Sequence, residues 1–318
     1  MGRRSLARKL STRLLVNNLT PFLFSTHYLS EEIDSKNLSF LNTKSKPLAA
    51  EDDLDLGPRA VVYCSLFQLE QFATDYLPRI RSDFVLISGS IHLPPGLSGE
   101  TIKAIASFSS VSAWFSQATE FLGDVPRPFP LGLAHQSADR VLGKMLRLRI
   151  RRKKSLYTPY CSIHEHLPPF ARFCRESISN SMDFKRDLSD YLDLLSKHRF
   201  VMSPPGDRWD CHRHWEAIAM GALPVIPGFP GVTGLLSDSA LIVQEFPSFE
   251  KVENRLMRER PLRRLVFNWY WRKKVFEAII HRENESRHDG LRRSDLMPDP
   301  TERLDKFVDT SVSRGRIH

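Results

Sequence analysis

The segment His198 to Pro227, HRFVMSPPGDRWDCHRHWEAIAMGALPVIP, concentrates the residues whose types and spacing could do chemistry. An apolar run, Phe200-Val201-Met202, enters a proline–glycine loop, Ser203-Pro204-Pro205-Gly206-Asp207, and a helical pattern follows from Asp210 to a stop at Gly221. A strand that delivers a glycine turn to a helix N-terminus forms a site for a diphosphate, because free backbone N–H groups and the helix dipole both favour negative charge. Asp210 is expected as the N-cap, its carboxylate accepting N–H groups of the first turn. Arg213, three residues on, adds a fork of donors suited to phosphate. Glu216 lies at i+3 on the same face, where a carboxylate can accept the hydroxyls of a ribose. His212 or His214 is placed to line the same pocket. Ala217, Ala219, Gly221 and Ala222 are small and let the helix pack closely on a sheet.

These residues resemble the C-terminal signature of the exostosin-like glycosyltransferases: a strand, Ser/Cys-Pro-x-Gly, a few residues, then Arg-x-x-Glu-Ala-x-x-x-Gly-x-x-Pro-Val. The matching positions are Ser203, Pro204, Gly206, Arg213, Glu216, Ala217, Gly221, Pro224 and Val225. Ala113-Trp114-Phe115-Ser116-Gln117, Pro130-Leu131-Gly132-Leu133 and Leu241-Ile242-Val243 are similar to strand-end sequences of that family in the same order, so the likeness spans residues 60–260. It implies an α/β chain with two Rossmann-like domains facing a cleft, the GT-B architecture, with a nucleotide-sugar donor held by the C-terminal domain. The implied donor-binding set is Ser203, Pro205, Gly206, Asp210, His212, Arg213, Glu216 and Gly221, with Gly206 at the diphosphate, Arg213 on phosphate and Glu216 on the ribose. The implied activity is transfer of a sugar, from a UDP-sugar, to a glycan or glycoprotein acceptor, without a metal or other cofactor. Relatives often carry Gly-Asn-Gly where this chain has Gly206-Asp207-Arg208, and Thr or Ser where it has Cys211. Asp207 would repel a diphosphate if it faced inward.

Sugar transfer needs a base for the acceptor hydroxyl and stabilisation of the departing diphosphate. The signature supplies the second. The first is expected from the N-terminal domain, where His92 follows the strand ending Ser88-Gly89-Ser90 and is the chosen catalytic candidate; His135, after Leu133, is the other. Asp53-Leu54-Asp55 has an Asp-x-Asp form but lies in an acidic stretch with no strand before it, and reads as solvated linker. His164-Glu165-His166 and Cys211-His212-Arg213-His214 do not offer metal-ligand spacing, since residues two apart on a helix face different ways. Trp114, Trp215 and the Trp269–Trp271 cluster read as core.

Positioning such a site requires alternating strands and helices. Val61 to Cys64, Phe84 to Ile87, Val111 to Phe115 and Phe129 to Leu133 read as strands of a first series, with a helical stretch over 68–80 and another from Arg140 to Lys154. A second series begins at Leu156, where Pro159 argues for a sheet edge. Helices are expected over Pro169–Ser177 and Asp183–His198, strands at Phe200–Met202, Leu223–Pro227 and Ala240–Val243, and a long closing helix over Leu265–Glu285. The expected boundaries are a leader and linker over 1–58, an acceptor domain over 59–155, a donor domain over 156–285 and a loose tail over 286–318.

Length and composition agree with this class. The chain has 318 residues, 41% hydrophobic and 26% charged, enough apolar material for packed cores and too much for wholesale disorder. Four cysteines exclude a disulfide scaffold. The net charge of +9 raises a nucleic-acid reading, but Arg3, Arg4, Arg8, Lys9 and Arg13 supply five of the charges before the first acid at Glu31. Arg140 to Lys154 adds eight basic residues without an acid, read as a solvated helix face. Nucleic acid is therefore not an expected partner, although a basic binder remains the rival class, together with a non-catalytic nucleotide- or sugar-binding relative. The Arg- and Ser-rich first thirty residues resemble an organelle transit peptide or an interrupted secretory signal. The family likeness favours the secretory pathway, with membrane association only through that segment. Sequons stand at Asn18, Asn37 and Asn284.

Overall fold

The computed structural model describes residues 11–31, 45–49, 54–89, 98–122, 125–147, 154–244, 246 and 263–286. The first sheet contains β1 (His27–Leu29), β2 (Lys46–Pro47), β3 (Ala60–Ser65), β4 (Phe84–Gly89), β5 (Val111–Ser116) and β6 (Arg127–Pro128). Its order is β2-β1-β3-β4-β5-β6, with every pair parallel. The second sheet contains β7 (Lys154–Tyr157), β8 (His198–Met202), β9 (Leu223–Pro227) and β10 (Leu241–Val243), in the order β10-β9-β8-β7, again parallel. The expected α/β class with parallel sheets is therefore the observed one. β3 and β4 are buried at every position, as parallel strands covered on both faces must be. Pro159 follows β7, which is an edge strand.

Among the described residues the α-helices of five residues or more are α1 (Thr20–Phe24), α2 (Gly99–Ser107), α3 (Ala138–Leu146), α4 (Pro169–Ser177), α5 (Leu188–Lys197), α6 (His212–Ala219), α7 (Pro230–Leu236) and α8 (Asn268–Ser286). Asp187 caps α5 through a bond from the Asp190 N–H. The helix expected over Arg140–Lys154 is α3, which ends at Leu146; positions 148–153 lie outside the described residues.

Period-two alternation along the strands divides the core. Val61, Val85, Ile87, Ala113 and Phe115 face one way and share an apolar cluster with Val201 and Ile226 of the second sheet, Leu192 and Leu195 of α5, and Trp215 of α6. The neighbouring positions Ala60, Val62, Cys64, Leu86 and Trp114 face the other way, onto Leu66, Leu69, Phe72 and Ile105. Phe200, Met202, Leu223 and Val225 turn to Cys174 and Ile178 of α4. One apolar layer thus belongs to both sheets, and both lie in the compact unit Met1–Ile279.

The leader and linker expected over 1–58 need correction. Leu15, Val16, Leu19 and Phe22 are buried, and β1 forms a full strand of the first sheet against β3. Val16 N donates to Val266 O at 2.8 Å, Leu15 bridges Phe267, and Asn268 Nδ2 donates to Arg13 O at 2.9 Å. Leu15 and Val16 enter the core by extended pairing with residues 266–267, and Phe22 enters it from α1, despite the basic flanks. Leu54, expected in solvent, is buried and bridges Ile80, while Asp55 accepts from Gly57 N at 2.9 Å and closes a turn. Asn18 is 8% exposed, and its Oδ1 accepts from His135 N at 3.0 Å, so this sequon is closed off in the folded chain. Positions 1–10 and the tail after 286 lie outside the described residues. Among the described residues no helix is long and apolar enough to cross a membrane.

Candidate functional site

β8 ends at Met202 and hands the chain to the loop Ser203–Cys211, which packs on the N-terminus of α6. The loop presents carbonyls where a ring of free N–H groups was expected. Gly206 N donates to Arg208 O at 3.0 Å and is spent inside the loop. Pro205 O accepts from Arg175 Nε at 3.0 Å, and Pro204 O accepts from Arg213 Nη1 at 3.3 Å. Arg175 also donates to Ser162 O. The loop therefore fixes two guanidinium groups side by side, and they, with the first turn of α6, form the positive face of the site.

Asp210 is not the N-cap. Cys211 holds that position with extended backbone and no side-chain cap. Asp210 is 3% exposed and turns to the first half of the molecule, where Oδ2 accepts from Leu131 N at 2.7 Å while Oδ1 accepts from Trp215 Nε1 at 2.6 Å. Two buried donors outcompete the helix end for this carboxylate, whose pKa burial raises. His212, the next residue but one, holds the adjacent carbonyl: its Nδ1 lies 2.7 Å from Gly132 O. Ser203 is buried, and its Oγ lies 2.7 Å from Nδ1 of His214, whose Nε2 donates to Trp209 O at 2.8 Å. Gly221 has φ 78° and ends α6 in a Schellman turn, with Gly221 N bonded to Ile218 O and Ala222 N to Ala217 O. Ser203 and Gly221 thus shape the strand–helix unit and do not line the pocket.

His212, Arg213 and Glu216 do line it. The cavity is about 330 Å³, the size of a small-ligand site. α4 contributes Arg175 and α5 contributes Tyr191; β7 and the loops after it bring Tyr157, Tyr160, Phe184, Lys185 and Arg186, and Cys211 completes the wall. Arg186 is already occupied, bonded to both oxygens of Asp183 and stacked 3.8 Å from the Phe184 ring centroid. Arg175 and Arg213 have no carboxylate within 4 Å among the described residues. Burial and the neighbouring Arg213 lower the Arg175 pKa. Burial opposes the Arg213 charge too, but Cys161, Cys211, Tyr191 and Glu216 outweigh it and raise its pKa.

Glu216 and Arg213 share a face without forming an ion pair within 4 Å. Burial lifts the Glu216 carboxyl to about 7, against the opposing pull of Arg213 and Tyr191. Among the described residues the buried Tyr191 hydroxyl makes no hydrogen bond of good geometry; Glu216 is the polar side chain it interacts with, and each shifts the other. Burial lowers the His212 pKa. Burial would raise the Cys211 thiol, but His214 and Arg213 bring it below its ordinary value. Asp207 is exposed.

His92 lies outside the described residues. His135 is held by Asn18 through its backbone N–H and through Nδ1, 3.1 Å from Asn18 Oδ1, and it is not in the cavity wall. Trp114 and Trp215 are buried and bonded, to Ser88 Oγ and Asp210, as core residues. Among the described residues no cluster of three or more His, Cys, Asp or Glu side chains could hold a metal. Arg175, Tyr191 and Tyr157 were missed from sequence. A signal existed for the first: Arg175 is buried in the stripe Ala171, Cys174, Ile178, an arginine at an apolar position of an amphipathic helix.

No protein-family model matches the chain, and no curated protein matches it significantly. Among solved structures, an α,α-trehalose 6-phosphate synthase from Burkholderia multivorans is similar with a TM-score of 0.40 and 12% identity, over 73% of each chain.

Proposed function

We propose that this chain is an exostosin-like glycosyltransferase of the GT-B kind, which moves a sugar from a nucleotide-sugar donor, a UDP-sugar, to a glycan or glycoprotein acceptor. The observation that carries the reading is the pair Arg175 and Arg213, two guanidinium groups fixed by consecutive loop carbonyls at one cavity, neither of them in an ion pair within 4 Å among the described residues. Close like charges are costly unless an anion completes the site. A diphosphate at the α6 N-terminus supplies it, and forked donors fit its oxygens.

In this reading Arg213 and Arg175 hold the diphosphate and stabilise the charge that develops on it as the sugar–oxygen bond breaks. Glu216 and Tyr191 face the ribose, one accepting and the other donating. The two guanidinium groups and Lys185 provide the positive charge for the leaving group, so the reaction is proposed to run without a metal.

The test is a screen of nucleoside diphosphates and nucleotide sugars by calorimetry, with and without chelator. Binding of UDP by the intact chain, lost in Arg213→Ala with the circular dichroism spectrum unchanged, is the expected result. Affinity that survives in both Arg213→Ala and Arg175→Ala refutes the site. Binding without turnover of any donor on a glycan panel would instead identify a non-catalytic relative.

A further inference from the structure

We infer that His212 is the proton acceptor of the transfer, its Nε2 taking the proton of the acceptor's hydroxyl; this rests on the donor-site reading above. The tautomer follows from one contact. Nδ1 lies 2.7 Å from the carbonyl oxygen of Gly132, and a carbonyl only accepts, so Nδ1 carries the hydrogen. In the neutral ring Nε2 then has a lone pair. His212 lines the cavity, and Nε2 has no hydrogen-bond partner among the described residues. An imidazole oriented by a backbone carbonyl, with its other nitrogen open to a pocket, is the arrangement a general base needs.

The surroundings keep the ring neutral. Burial disfavours the imidazolium most and outweighs the Gly132 carbonyl bond, which favours it, and Arg208 adds a like charge. Asp210, the closest acid in sequence, is committed to Leu131 and Trp215. On its own helix Arg213 is the neighbouring cation and Glu216 stands one turn on; Lys185 and Arg186 face the pocket from the segment before α5. Position favours His212 over Glu216 for this role. The His212 ring sits at the join between the two sheets, bonded to Gly132 O of the first and lining the pocket of the second. Glu216 stands beside Arg213 and Tyr191, on the nucleotide side.

The step balances with these groups alone. The acceptor O–H gives its proton to Nε2 as the oxygen bonds to the anomeric carbon. The bond from that carbon to the diphosphate oxygen breaks, and its electron pair leaves with the diphosphate, between Arg213 and Arg175. The imidazolium then returns its proton to water.

Long-range 1H–15N correlation spectra of the full chain, assigned through His212→Asn, test this without relying on turnover. Asn retains a donor near Gly132 O but has no nitrogen at the Nε2 position. At pH 7.5 the expected pattern is a neutral ring protonated at Nδ1, both free and with UDP bound. An imidazolium in the UDP complex, or the Nε2–H tautomer, overturns the inference, because the ring would then be a phosphate donor. UDP affinity should stay within about threefold in His212→Asn, whereas release of UDP from the best donor of the screen should fall by about 10²–10⁴-fold. A matching loss of UDP affinity also overturns it. If the intact chain binds no nucleoside diphosphate at all, the donor-site reading fails and takes this role with it.

Discussion

Arg175 and Arg213 are held by neighbouring carbonyls of one loop, Arg175 Nε on Pro205 O at 3.0 Å and Arg213 Nη1 on Pro204 O at 3.3 Å. Two helices distant in sequence therefore aim their guanidinium groups at one space. Arg175→Lys keeps the charge but cannot make the forked contacts to Pro205 and Ser162. UDP affinity in Arg175→Lys is expected to fall by about 10-fold to 100-fold, the cost of a charge-assisted hydrogen bond, measured by calorimetry against the intact chain.

Glu216 titrates near 7 in the folded chain, above its ordinary carboxyl value. The folded state binds the extra proton between the two values, so ionisation of Glu216 removes stability as pH rises from about 4.5 through 7. Glu216→Gln takes away that loss. Its urea midpoint should match the parent near pH 5 and exceed it at pH 8, by an amount on the order of 3 kcal/mol at most. Equal pH profiles for the two proteins would contradict the assignment.

Asp210 accepts two buried donors, Leu131 N and Trp215 Nε1. Asp210→Ala leaves both without partners, and Asp210→Asn can satisfy one while turning an N–H toward the other. Both variants should lose about 2–5 kcal/mol of unfolding free energy, read from denaturant curves monitored by tryptophan fluorescence.

Gly132 and Gly143 should respond with opposite signs to the same substitution. Gly132 has φ 73°, and a Cβ there would lie 2.6 Å from the carbonyl carbon of Val16, so Gly132→Ala should cost more than about 2 kcal/mol. Gly143 lies within α3 with nothing within 4 Å of a Cβ. Gly143→Ala should therefore gain about 0.5–1 kcal/mol, and thermal melts decide both.

Cys211 is the part-exposed thiol of the four, and His214 and Arg213 lower its pKa, whereas burial raises Cys64, Cys161 and Cys174, the last to about 12. Iodoacetamide at pH 7.5 should label Cys211 first, and UDP should slow that labelling. Mass spectrometry of digests taken over time gives the order.

Much of the fold was legible because local rules and tertiary demands agreed. Pro169 opens α4 and β9 is an unbroken apolar run, so both appear at their expected bounds, Pro169–Ser177 and Leu223–Pro227. The basic charges near Leu15 and Leu19 drew attention away from apolar residues that pack into the core. Within the site, Arg213, Glu216 and His212 were legible because one helix carries them. Asp210 was misplaced because the N–H group it prefers belongs to Leu131, 79 positions away, and no local rule reports such a partner. The glycine loop misled for a related reason: the spacing predicts a turn, but only the folded chain shows that Gly206 N is bonded to Arg208 O.

The pairing of Val16 with Val266, and of Thr12 and Arg13 with Asn268, imposes an order on biosynthesis. A nascent chain cannot finish its first sheet's surroundings until the stretch near residue 270 has left the ribosome, so Leu15 and Val16 lack this cover until then. That interval is when a chaperone would matter most, and when a truncated message would yield the most aggregation-prone product.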